Sequence, residues 1–449
     1  MPFANAFPDP DNETPMFAQA LSSRLDRRGI HYAWLVAALT FLVMLTTSAA
    51  LGLPGAFLKP LTKEMGWNTD QISSILAFRF ALFGLMAPFS ALLMDRFGVR
   101  NVVCAALALI AGGMALATVT TELWQLFVAW GLMLGVGSGL TALVLAALVA
   151  NRWFSARRGL VIGILTASAA TGQLAFLPVA AWLIEHMGWR VAVLPVLAAC
   201  AALALLVFAL MRNRPADVGL AAFGDIPAHP ATPPAAQTVT PFTLRGPFLV
   251  LRDAARTQTF WVLAGTFFIC GLSTNGLIQT HFIALCGDFG MGPVPAASAL
   301  AMMGAFDFIG TILSGWLSDR YDSRKLLFWY YALRGLSLFW LPHSTFTLYG
   351  LSIFAMFYGL DWIATVPPTI KLAATAFGRE RAPMVFGWIF AAHQIGAAVA
   401  AFGAGLSRTL LLTYTPALYA AGAACMVAAL LALMVSRTRA AAATEAARA

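Results

Sequence analysis

The feature that most constrains this chain is a series of apolar runs of 18 or more residues, such as 32–51, 101–118 and 191–211. A helix of that length matches the roughly 30 Å hydrocarbon layer of a bilayer. Composition supports the same reading. Of the 449 residues, 60% are hydrophobic and 10% charged, where a soluble domain carries about 25% charged residues. A soluble protein this apolar could not cover its surface with polar groups. The expected fold class is therefore an all-α membrane protein.

Apolar runs set against loop signals give twelve spans. Six are expected near 31–58, 71–94, 101–119, 122–151, 157–184 and 189–211, and six near 258–285, 295–318, 325–342, 345–371, 382–406 and 412–435. The stretch 213–257 is rich in Pro, Ala and Thr, a linker composition. It divides the chain into a tail (1–28), a first six-helix unit (29–212), the linker, a second unit (258–436) and a second tail (437–449). The polar, Pro-rich first 28 residues make the first apolar run a span rather than a cleaved leader.

Charge distribution predicts the topology. With the N-terminus in the cytoplasm, 22 of the 28 Lys and Arg residues fall in cytoplasmic segments, as the positive-inside rule requires. Four lie outside (Lys59, Lys63, Arg190, Arg408), and Arg79 and Arg334 lie within spans. Only an even number of spans with both termini inside gives this split. The net charge of +9 is thus a matter of topology, and its scatter among loops argues against a nucleic-acid partner. Five cysteines show no metal-binding spacing and read as small packing residues.

The halves echo each other. DRFGVR at 95–100 after span 2 matches DRYDSR at 319–324 after span 8, an offset of 224 residues, and FSARRG at 154–159 matches FGRERA at 377–382, an offset of 223. Two six-helix repeats enclosing a midplane site are implied, an arrangement some transporters use.

GWLSDRYDSRK at 315–325 resembles the signature loop of the major facilitator superfamily, and the loop after span 2 is a weaker copy with Ala91 where Gly is usual. FLKPLTKEMGW at 57–67, RWFSARRGL at 152–160 and GWR at 188–190 are similar to the monocarboxylate porters and oxalate:formate antiporters. The resemblance implies two six-helix bundles rocking about a central cavity lined by spans 1, 2, 4, 5, 7, 8, 10 and 11. It implies a latch in which Asp95 and Arg96 meet the cytoplasmic end of span 11, and Asp319 and Arg320 that of span 5, each acid favoured by a helix N-terminus. The bland alternative is that these four are solvated loop charges.

Ionisable residues at membrane depth are costly unless paired or wetted. Asp307 lies about 18 Å along span 8 from Asp319, and Asp361 about 15 Å along span 10 from Lys371. Arg334 in span 9 lies at similar depth, and Arg79 in span 2 sits closer to the outside. Arg334 can neutralise one acid, leaving a carboxylate that can carry a proton, since burial disfavours the charged form. An Asp–Arg pair that merely locks helices together is the competing explanation. Two family cations are missing: Thr311 stands where span 8 usually has Arg, and His393 where span 11 of the antiporters has Lys. His393, Asn275, Gln279 and Gln173 are the remaining candidate lining, with Arg79 at its outer edge.

The Gly-rich run 131–139 lacks the Lys-Ser/Thr of a phosphate loop and reads as close helix packing; TVPP at 365–368 is a hinge or a kink. No metal or cofactor is called for, and no nucleophile–base pair suggests an enzyme. The expectation is a monomeric, proton-coupled secondary transporter of a small organic solute, most readily a carboxylate, in a bacterial inner membrane. Drug efflux and a non-transporting sensor built on the same fold are the alternatives.

Overall fold

The computed structural model describes residues 15–225, 245–378 and 381–435. The first 14 residues, much of the linker and the C-terminal tail lie outside the described residues. Helices occupy all twelve expected positions. Lipid offers no partners to backbone N–H and C=O groups, so each crossing segment satisfies its own as a helix. Ten are long and apolar enough to cross a membrane: Tyr32–Met65, Thr69–Phe97, Val99–Thr118, Leu123–Trp153, Trp189–Leu210, Gln258–Asp288, Pro293–Arg320, Leu348–Phe377, Ala382–Leu411 and the last, from Thr415. Span 5 is divided into Arg158–Ala175 and Leu177–Met187, and span 9, Ser323–Trp340, carries Arg324, Lys325 and Arg334.

After span 1 the chain stays helical through Leu58–Met65 until Gly66 ends it at a positive φ of 70°, a conformation glycine adopts without a Cβ penalty. The described part of the linker also carries regular structure. Arg245–Ala254 is an amphipathic helix, and Phe223 pairs with Phe154 in an isolated bridge.

The two motifs flanking the first bundle's outer face meet. Trp189 Nε1 donates to Glu64 at 2.7 Å, and Arg190 pairs with the same carboxylate while its Nε donates to the Thr118 carbonyl at 3.0 Å. The Gly-rich stretch of span 4 does pack helices closely. A Cβ on Gly137 would meet Ala106 and Ile110 of span 3, and one on Gly139 would meet Phe83 and Met86 of span 2.

Span 10 breaks between its two helical pieces, Leu348–Asp361 and Val366–Phe377. Pro367 and Pro368 begin the second piece, where a missing N–H is tolerated. The break sits against span 8, which comes so close that a Cβ on Gly310 would run into the Leu360 carbonyl.

Candidate functional site

The bundles meet along spans 2 and 11, spans 5 and 8, and spans 1 and 7, and the closeness of approach changes along the seams made by spans 1, 2, 7 and 11. Toward the face away from the termini there is no room for a Cβ at Gly405 beside Ser73, at Gly84 beside Gln394, or at Gly55 beside the Gln279 carbonyl. Toward the terminal face, Gly387 clears Pro88 by 3.8 Å. Polar contacts seal the far end. Lys59 pairs with Asp288 at 2.9 Å, Arg408 with the same carboxylate at 2.7 Å, and Thr409 donates to Asp70 at 2.9 Å.

Between the seal and the terminal face lies a central cavity of about 90 Å³. Span 11 contributes His393 and Gln394, and span 7 contributes Cys270, Thr274 and Asn275. Asn275 is presented by a wide turn, Leu272–Gln279, in which the helix is wound with five-residue spacing. Such turns free backbone groups and recur at functional sites; here Thr280 Oγ1 donates to the Asn275 carbonyl at 2.8 Å. His393 lies between the rings of Phe267 and Phe390, at 5.0 and 5.8 Å, and its Nδ1 has no partner. Gln394 Oε1 is likewise buried and unpartnered. These groups can donate to or accept from a small polar solute.

Behind the wall, the midplane charges brace the break in span 10. Arg334 Nε donates to Asp361 Oδ2 at 2.6 Å, and its Nη2 donates to the carbonyls of Asp361 and Trp362 at 2.5 and 3.3 Å. These carbonyls end a helix, where a cation is favoured. Arg334 Nη1 reaches Cys270 Sγ at 2.9 Å. Cys270 therefore does more than fill space, which corrects the expectation drawn from its spacing.

Asp307 meets the other side of the break. Its Oδ1 accepts from the Ile363 N–H at 2.8 Å and from the Thr311 hydroxyl at 3.1 Å. It is 1% exposed, with no cation at ion-pair distance among the described residues. Ile363 itself lines the cavity, so one peptide unit separates this carboxylate from the central space.

The other expected residues fall as follows. Gln279 and Arg79 are buried outside the cavity on the sealed side. Gln173 lies in the first piece of span 5, and its side chain is outside the described residues. Asp95 pairs with Arg152 of span 4, within its own bundle, not with the end of span 11. Arg96 and Asp319 are exposed, and Arg320 stacks on Trp316 at 4.0 Å.

Sequence reasoning passed over the hydroxyls of the lining, including Thr47 and Ser48 of span 1 and Ser138 and Thr141 of span 4. Ser and Thr in spans commonly bond back to their own helix, so their presence in an apolar run carries no distinct signal.

The profile described as Major Facilitator Superfamily matches residues 36–401. The chain belongs to the major facilitator superfamily. It is 27% identical over 395 residues to monocarboxylate transporter 13 of Bos taurus, covering 87% of this chain and 86% of that one. It is 24% identical over 383 residues to YcxA, an uncharacterized transporter of the same superfamily from Bacillus subtilis, covering 83% and 88%. A crystal structure of a D-xylose–proton symporter superposes with a TM-score of 0.66 at 13% identity, covering 90% of this chain and 98% of that one, a likeness of fold. The protein is a multi-pass membrane transporter of a small solute and not an enzyme.

Proposed function

We propose that this superfamily member is a proton-coupled transporter of a small carboxylate, working as a monomer by alternating access in a bacterial inner membrane. The terminal face, toward which the cavity lies, is the cytoplasmic one by the distribution of Lys and Arg. The observation that carries the reading is Asp307, a buried carboxylate held by two neutral donors while the only midplane arginine is engaged by Asp361.

Ionised, Asp307 accepts from Ile363 N–H and Thr311. Protonated on Oδ2, it keeps Oδ1 as acceptor but loses the charge that strengthens both bonds, and holds the break in span 10 less firmly. A proton on Asp307 thus alters the backbone at the cavity wall, which is the coupling a symporter needs. The solute is small because the cavity is small, against roughly 300 Å³ or more for a drug-sized pocket; this weighs against drug efflux. Carboxylate recognition draws on relatives named monocarboxylate transporters and on His393, Asn275 and Gln394 as donors.

The test is a pH-sensitive dye sealed in proteoliposomes. Adding lactate or acetate outside should acidify the lumen faster than protein-free vesicles allow, and Asp307→Asn should remove the excess. Carboxylate uptake without proton movement would overturn the coupling, and no uptake would overturn the substrate class.

A further inference from the structure

The sealed half of the seam buries polar groups that have no partners. On span 2 these are Ser73 Oγ and Arg79 Nε and Nη1; on span 7 they are both amide atoms of Gln279 and His281 Nδ1. They flank one small-residue stretch of span 11. Phe80 packs on Ala397 and Ala401, His281 Nε2 lies 2.8 Å from the Ala401 carbonyl, and Ser73 abuts Gly405.

Arg79 stands out among them. It is 1% exposed, and its nearest charge-sensitive companion is the ring of its neighbour Phe80, 4.6 Å from Cζ. Arg334 shows what a structural arginine looks like here, with all three nitrogens engaged by a carboxylate, a thiol and carbonyls. Burying a guanidinium with two unpartnered nitrogens and no carboxylate at ion-pair distance among the described residues is costly, so a fold that keeps one has a use for it. One turn along the same helix face from Arg79 is Phe83, a cavity residue. Arg79 therefore sits just beyond the cavity, on the path toward the sealed face.

The seal that buries it is breakable. Lys59 and Asp288, whose ion pair crosses between the bundles, are partly exposed, and exposed ion pairs hold weakly. Once they part and spans 2 and 11 separate, Arg79 faces the open side.

We propose that Arg79, with Gln279 as a second donor, forms an anion-binding site of the conformation open to the face away from the termini. A carboxylate from that side would meet a planar fork of N–H donors before passing one turn inward to His393 and Asn275. After the solute leaves toward the terminal face, the emptied guanidinium, with Nε and Nη1 unpartnered, favours reopening of the sealed side. The inference rests on the carboxylate reading for the identity of the anion.

The test compares wild type with Arg79→Gln and Arg79→Lys in proteoliposomes of known orientation, using lactate. Arg79→Gln should raise the apparent KM from the sealed face at least tenfold and change that from the terminal face less than twofold, with Arg79→Lys recovering part of the loss. Equal changes on both faces, or none, would overturn the site while leaving carboxylate transport intact. If wild type carries no carboxylate, the proposed function fails, and thermal unfolding of the purified proteins still decides about Arg79. Acetate should then raise the melting temperature of wild type and not of Arg79→Gln. No acetate shift, or an equal shift in both, would remove the site.

Discussion

Among the described residues, Arg334 and Asp361 form the one ion pair whose partners are both buried at midplane, with side chains 0% and 10% exposed. Removing one partner of a buried pair strands the other charge and costs about 3–5 kcal/mol. Arg334→Gln should reach the upper end, because it also deprives the Asp361 and Trp362 carbonyls of their donor. Asp361→Asn should sit at the lower end. The double variant strands no charge and forfeits mainly those backbone bonds, about 1–3 kcal/mol. For a bundle of this size roughly 2–4 °C accompany each kcal/mol. The single variants should therefore melt about 6–20 °C below wild type and the double variant about 2–12 °C below. Scanning fluorimetry in detergent reads all four proteins. A double variant that loses the sum of the two single losses would refute the claim that the pair acts as a unit bracing span 10.

Two further outcomes follow from the seam. Asp288→Asn removes the one ion pair that joins the bundles at the sealed face among the described residues, Lys59–Asp288, worth about 0.2–1 kcal/mol. It should shift the balance toward the sealed-face-open state by roughly 1.4-fold to fivefold, visible as longer distances between spin labels at the outer ends of spans 1 and 7; an unchanged distribution would contradict the seal. Phe248 of the linker helix sits 5.5 Å from Phe89 of span 2 and 5.6 Å from Trp388 of span 11, whose Nε1 donates to the Pro247 carbonyl at 2.9 Å. Phe248 is half exposed, so Phe248→Ala should cost about 1–2 kcal/mol rather than the ~3–5 of a buried ring. It should speed limited proteolysis within 245–254, and an unaltered rate would show that this aromatic contact does not hold the helix.

The fold was legible because its signals are long and redundant. Each span repeats its apolar message over some twenty residues, and the paired DRFGVR and DRYDSR loops mark the two halves. The site was only half legible. Asp307, Asp361 and Arg334 announce themselves as charges at membrane depth, yet which acid the arginine takes depends on the break in span 10, a three-dimensional fact. Asp95 was expected at span 11 and is found on Arg152, because which cation comes within reach is set by packing between helices and not by local sequence. Thr47, Ser138 and Thr141 were missed since a hydroxyl in an apolar helix has the same appearance whether it faces a cavity or its own backbone. The wide turn at Leu272–Gln279, which aims Asn275, has no recognisable sequence mark.

The most direct test of the account is uptake of labelled lactate and acetate by proteoliposomes, with and without an inward proton gradient, for wild type and Asp307→Asn. The account predicts gradient-stimulated accumulation by wild type. The variant should keep solute exchange at equal pH and lose the stimulation. Gradient-driven accumulation that persists in Asp307→Asn would contradict the role given to this carboxylate.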